Sequence, residues 1–130
     1  MTSAIAIALT GLNSSALRLN ASASNIANIN TAGSLVDPDE APYTPLTTSS
    51  KAIGTAGGVQ TNIIPRQAPF IPSYDPDSPF ADANGIIGVP NINLAEEIVN
   101  LKLAEITYKA NLSTIKVAGE LFDELLDAVD

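Results

Sequence analysis

The chain has 130 residues, enough for one domain, and contains no Cys, His or Trp. Their absence excludes thiol nucleophiles, imidazole bases and disulfides, and it removes the usual soft metal ligands, so we expect no enzyme activity and no cofactor. The formal net charge of −8 argues against nucleic acid as a partner, because binding its backbone requires Lys and Arg to displace counterions.

The distribution of proline divides the chain into three segments. All nine prolines lie between Pro38 and Pro90, and proline is excluded from helix interiors. We therefore expect an N-terminal helix within residues 1–31, a Pro/Gly-rich middle over 32–92, and a C-terminal helix within 93–130. The start lacks the positive leader of a secretory signal, and no stretch approaches the ~18 apolar residues of a membrane span. We expect no cleaved signal peptide and no direct membrane insertion.

The N-terminal segment carries apolar residues at alternating steps of four and three, which is a heptad stripe. A helix of ~26 residues would be about 39 Å long, and the residues Asn28 to Gly33 favour its end. The stripe consists of Ile5, Leu9, Leu12, Ala16, Leu19, Ala23 and Ile26.

The middle segment predicts little regular structure. Residues 59–64 form a credible strand, and residues 86–89 form a second one after the turn signal Asn84-Gly85. The four prolines of residues 66–82 favour an extended, polyproline-like conformation. We expect at most one small β-hairpin, with long ordered loops.

The C-terminal segment holds the same alternation over a predicted helix of ~35 residues, about 52 Å long. Asn93 is its expected N-cap. The stripe consists of Leu94, Ile98, Leu101, Glu105, Tyr108, Leu112, Ile115, Gly119, Phe122, Leu126 and Val129.

Together these elements predict a mainly α fold with a small β or extended middle, in which the terminal helices pair as an antiparallel coiled coil. So thin a stripe offsets little of the ordering cost of the backbone, so the monomer should be marginal. Leu103, Ile106, Leu121 and Leu125 lie off the seam and would suit contacts with further subunits. The alternative is an ordinary helical hairpin folded on its own middle.

No group of residues predicts chemistry. Asp75, Asp77 and Asp82 form an acidic cluster without the Gly and Glu of an EF-hand loop, so turn formation is the favoured role. Residues 49–51 offer Ser beside Lys without a predicted pocket, and residues 54–58 lack the Lys-Ser/Thr of a P-loop. Glu105 on the seam would mark the helix register or pair with a base of a neighbouring subunit.

Three motifs resemble the bacterial flagellar rod, hook and hook-associated axial proteins, and the short length is similar to the proximal rod members of that family. The first is the Asn-aliphatic-Ala-Asn pattern at the end of the first helix, the second precedes the last helix, and the third lies within it. The matching residues are Asn25, Asn28 and Thr31; then Tyr74, Pro76, Pro79, Gly85, Pro90 and Asn91; then Glu97, Asn100, Ala110 and Asn111. Lys109 departs from the family pattern, as does the acidic C-terminus.

The resemblance implies a structural subunit of the periplasmic rod of the flagellar basal body. Its partners would be copies of itself, other flagellar rod proteins, and the type III export apparatus during secretion. Asn25 and Asn28 would either stop the first helix or bond to an adjacent subunit. Alternative functions are another flagellar axial protein, or a small helical adaptor or export chaperone.

Overall fold

A computed structural model describes residues 2–55 and 57–129. Met1, Ala56 and Asp130, which fall within the predicted segments 1–31, 32–92 and 93–130, lie outside the described residues. Helix α1 spans Thr2–Ala27, and helix α2 spans Leu94–Asp127. The strands between them are β1 (Leu46–Ala52), β2 (Val59–Pro65), β3 (Phe70–Tyr74) and β4 (Ile86–Pro90), and a 3-10 turn covers Pro38–Glu40.

The end of α1 and the start of α2 follow the predicted signals. The Asn93 side chain accepts hydrogen bonds from the backbone N–H groups of Ala95 (3.0 Å) and Glu96 (3.3 Å), so the predicted N-cap of α2 is confirmed. Helix α1 has 26 residues and α2 has 34. Neither described helix contains a window that is long and apolar enough to cross a membrane.

The two helices lie antiparallel against each other. Ser15 Oγ is 3.0 Å from Thr107 Oγ1, and Asn25 near the end of α1 bonds to Glu97 near the start of α2. At the centre of the helix contact, small buried residues and Glu97 are spaced by seven or fourteen positions: Ala8, Ser15 and Ser22 on α1, and Glu97, Ala104 and Ala118 on α2. Helix α1 also buries Ser14, Ala21 and Asn25. Small side chains allow the helix backbones to approach closely, and a Cβ added to Gly11 would clash with the Asn111 side chain.

The heptad period is therefore present, but the centre of the contact differs from the predicted seam. At three positions of each predicted stripe, the residue at the centre of the contact is the one immediately before the predicted residue, for example Ala8 before Leu9 and Glu97 before Ile98. The physical reason is that close approach favours small residues at the centre and leaves large ones at the sides. The large seam residues that are 42–54% exposed are Leu9, Leu19, Leu94, Ile98, Tyr108, Leu112, Phe122 and Leu126. Those that are half-buried are Ile5, Leu12, Ile26, Leu101 and Ile115.

The middle forms two separate antiparallel hairpins instead of the single one expected. Strand β1 pairs with β2, with Leu46 opposite Pro65, and β3 pairs with β4, with Phe70 opposite Pro90. Both predicted strands, β2 and β4, exist. Strand β2 pairs with β1, which its Ser and Thr residues made hard to predict, and β4 pairs with β3, which Pro72 made hard to predict. The expected polyproline-like stretch contains β3, where Pro72 lies opposite Gly88.

Helix α1 lies between α2 and the first hairpin. Thr61 Oγ1 donates to Ser14 Oγ (2.8 Å), and the backbone N–H of Val59 donates to Thr10 Oγ1 (3.0 Å). Prolines aside, the buried apolar side chains among the described residues are four alanines and Ile87. The core is accordingly thin, and polar contacts carry much of the packing.

Candidate assembly surface

A buried polar junction connects both helices to the first hairpin, and its centre is Asn25. This side chain is 0% exposed. Its Nδ2 donates to the Leu46 carbonyl (2.8 Å) and to Glu97 Oε1 (3.1 Å), and its Oδ1 accepts from the Leu46 N–H (2.8 Å) and the Tyr43 hydroxyl (3.1 Å). An amide side chain can make two donor and two acceptor contacts. All four are satisfied within the chain.

Glu97 supplies the charged half of the junction. It is 1% exposed and accepts from Arg66 as well as from Asn25. Arg66 follows β2, and its backbone N–H bonds to the Pro45 carbonyl (2.8 Å) just before β1. The junction therefore fixes both strands of the first hairpin, at its open end, to the helix pair. Arg66 is 21% exposed. Removing it would be destabilising, because the buried Glu97 carboxylate would lose its compensating charge.

Asn28 has a local role at the end of α1. Its Nδ2 donates to the Ser24 carbonyl (2.9 Å), and its Oδ1 accepts from the Thr31 hydroxyl (3.2 Å). The hypothesis that Asn25 bonds to an adjacent subunit is wrong for this structure, because Asn25 has no exposed surface and no unused bonding capacity. Asn28 fits the simpler alternative, a helix stop.

The second motif closes the turn between β3 and β4. Gly85 adopts a positive φ of 75°, and its carbonyl accepts from the Asp75 N–H (2.9 Å). The Asp82 carboxylate accepts backbone N–H bonds from Ile86 (2.9 Å) and Asn84 (2.8 Å), and these bonds lower the pKa of Asp82. Within the described ranges, no cluster of three or more acidic side chains could hold a metal ion. The acidic residues here shape a turn.

The remaining motif residues lie around this framework. Pro76 packs against Gly85, Pro79 is exposed and Pro90 ends β4. Asn91 bonds to the carbonyls of Pro69 and Ala68. Among the other motif residues, Tyr74 at the end of β3 and Ala110 on α2 are exposed, and Asn100 and Asn111 on α2 are half-buried.

Helix α2 presents a second apolar stripe to solvent, beside the face that packs on α1. Leu103 borders a cleft shared with Arg18 of α1, and Val117 and Leu121 border a groove shared with Ala4. The members of the stripe are 49–57% exposed, and they form two groups at steps of three or four, separated by eleven positions. They are Val99, Leu103, Ile106, Val117 and Leu121. Together with the exposed half of the predicted seam, this stripe gives α2 two apolar flanks. Such contiguous apolar surface marks an interaction site on a small protein.

A row of lysines separates the two flanks. Lys102 Nζ lies 2.8 Å from Glu105 Oε2, and Lys109 Nζ lies 2.6 Å from Glu105 Oε1. Hydrogen bonds from Lys102 and then Lys109 lower the pKa of Glu105 from 4.5 to about 2. Glu105 was expected to mark the register or pair with a neighbouring subunit. Within this chain it pairs with bases of its own helix.

Comparisons with known proteins identify the family. No protein-family model matches the chain. Curated relatives named flagellar basal-body rod protein FlgC come from Salmonella typhimurium, at 39% identity over 88% of this chain and 87% of the relative, and from Agrobacterium fabrum, at 30% identity over 98% and 94%. The Aquifex aeolicus relative of the same name is 30% identical over 96% and 94%.

This chain belongs to the FlgC family.

In this FlgC-family chain, the sequence motifs found only part of the junction. Asn25 and Glu97 come from separate motifs 72 positions apart, and the structure brings them together. The other members of the junction are Tyr43, the backbone of Leu46 and Arg66, and none of them belongs to a sequence motif. One signal was available for Arg66, because it is one of only two arginines in an acidic chain.

Proposed function

We propose that this chain is a structural subunit of the proximal rod of the bacterial flagellar basal body, and that it assembles through its two terminal helices. The observation that carries the proposal is the pair of exposed apolar flanks on α2. A helix pair that buries small residues and exposes Leu, Ile and Val has a surface suited to other copies of the same helices.

Covering this surface would contribute favourably to association. A large aliphatic side chain gains about 1.5–3 kcal/mol when it is fully buried. Because the five stripe residues are about half exposed, covering them would contribute roughly 1 kcal/mol each. Association also costs several kcal/mol in lost freedom. Repeated contacts around a rod are therefore favoured over a single pairing.

We propose a separate role for each segment of the chain. Residues 1–31 and 93–130 would form the coiled-coil core of the axial structure, and residues 32–92 would make contacts farther out. The polar junction would hold the first hairpin at a fixed angle to that core. Partners would be further copies, other rod proteins and, during secretion, the flagellar export apparatus.

The test is assembly of the purified full chain and of a Leu103→Asp variant, together with complementation of a strain that lacks its own FlgC-family rod protein. We expect the wild type to self-associate and restore motility, and the variant to do neither while it keeps its helix content. A wild-type chain that stays a highly helical, non-associating species and restores no motility would contradict the rod function and favour a chaperone.

A further inference from the structure

A charged cleft lies on the side of α1 that faces the first hairpin and the start of α2. It has a volume of about 290 Å³, and its polar lining includes Arg18, Ser22, Arg66 and Asn100. Arg18 and Arg66 are the only arginines in the sequence. With the buried Glu97 carboxylate beside Arg66, the cleft keeps one net positive charge in a chain whose net charge is −8.

One arginine of the cleft is available to a ligand. Four ion pairs occur among the residues that the structure describes, and they use Arg66 and three lysines of α2. Arg18 takes part in none of these pairs and is exposed. A guanidinium binds carboxylates with two parallel N–H bonds, which makes an arginine cleft suited to acidic side chains.

The C-terminal end of α2 extends beyond its partner helix. The contacts of Gly11 with Asn111, Ser15 with Thr107 and Asn25 with Glu97 show that paired positions in α1 and α2 sum to 122. The start of α1 at residue 2 is therefore level with residue 120, and residues 121–129 extend past the level of the described part of α1. We name these residues the overhang.

The overhang is acidic as well as apolar. Asp123 and Asp127 lie one helical turn apart on the same face, and neither belongs to the ion pairs found in the described part of the chain. Phe122 is 50% exposed and Val129 is 80% exposed. The overhang thus offers paired carboxylates beside uncovered apolar surface.

The overhang cannot reach the cleft of its own chain. Arg18 is level with Ala104 by the same pairing, which is 17 residues before the overhang, or about 25 Å along a helix that points away. An acidic segment that reaches this cleft must therefore come from another molecule.

We propose that the overhang of one copy docks through Asp123 and Asp127 at the Arg18 cleft of a second copy. This inference rests on the proposed rod function and specifies one of its contacts. The contact joins two different surfaces, and such a head-to-tail contact propagates into open helical assemblies when it does not close into a ring. Charge complementarity orients the two copies, and the apolar residues of the overhang add burial.

The experiment uses charge reversal in the purified full chain, with association measured by sedimentation at low and moderate salt. Arg18→Glu alone and Asp123→Lys with Asp127→Lys should each weaken self-association about tenfold or more, since each places like charges together. Lys51→Glu is the matched control, because Lys51 is an exposed base of β1 outside the cleft. It should leave association within about twofold, and circular dichroism should show unchanged helix content in every variant.

Mixing the two charge-reversed chains provides the decisive measurement. Neither should associate well alone. In a mixture, the glutamate introduced at position 18 would meet the lysines introduced in the other chain, while the unchanged Arg18 would meet the unchanged acids. The mixture should therefore form alternating polymers with nearly wild-type affinity.

Two results would overturn the contact while wild-type assembly upheld the rod function. One is failure of the mixture to associate, and the other is an equal loss of association in the Lys51→Glu control. A wild type that does not associate at all would overturn both the contact and the rod function.

Discussion

Replacing Asn25 by Ala is the sharpest test of the polar junction. The change removes all four hydrogen bonds of a side chain that has no exposed surface. Tyr43 keeps its bond to Ser24 (2.8 Å) and Glu97 keeps Arg66, so the main loss falls on the N–H and the carbonyl of Leu46. An orphaned group costs about 1–3 kcal/mol when it is buried, and Leu46 is half-buried. We expect the free energy of unfolding to fall by about 2–3 kcal/mol.

The measurement is urea unfolding of the dilute monomer, followed by helical circular dichroism. Asn28→Ala is the matched control, because its bonds are confined to the last turn of α1 and the residues after it. That control should cost about 1 kcal/mol or less. A loss below about 1 kcal/mol for Asn25→Ala, or equal losses for both variants, would refute the assignment of Asn25 as the link between the helices and the hairpin.

Three further predictions concern α2. Leu112→Asp should abolish assembly but leave the monomer folded, because Leu112 is 50% exposed. Sedimentation should show no such loss for Ala83→Asp, in the exposed turn of the second hairpin. Ala104→Leu should lower the free energy of unfolding by about 1–3 kcal/mol, because Ala104 is 1% exposed in the helix contact; urea unfolding should show a much smaller effect for the exposed Ala110→Leu. The Glu105 carboxyl should titrate by NMR near its lowered pKa of about 2. Its contribution to stability should therefore be complete above about pH 4.5 and decline as the pH falls toward 2. Glu105→Gln should lack this pH-dependent contribution.

The sequence predicted the helices well because their signals are local. Prolines confined to the middle, Asn93 before α2 and the polar residues after Ala27 all act within a few positions of a helix end. The heptad period also emerged from the sequence. Its central register did not, because large apolar residues dominate a hydrophobic pattern while close helix contact selects Ala8, Ser15 and Ala104.

Long-range pairing was the main part that local signals could not supply. Strand β1 is rich in Ser and Thr, and β3 contains Pro72, so neither has the alternation that marks a half-buried strand. The junction joins residues as far apart as Asn25 and Glu97, and both were found only as separate motifs. The role of Arg66 could be assigned only from the fold, which brings its guanidinium to the buried Glu97 carboxylate.

The most direct test of the central claim is whether other copies cover the second stripe of α2. The chain has no Cys, so Leu103→Cys introduces a single thiol on that stripe, and Ala83→Cys places one on the exposed turn of the second hairpin. Maleimide labelling should be fast at both positions in the monomer. In the assembled state, we expect labelling at position 103 to slow at least about tenfold relative to position 83, as expected for a site at a buried interface. Equal labelling rates at position 103 in monomer and assembly would contradict the claim that this helix face forms the subunit contact.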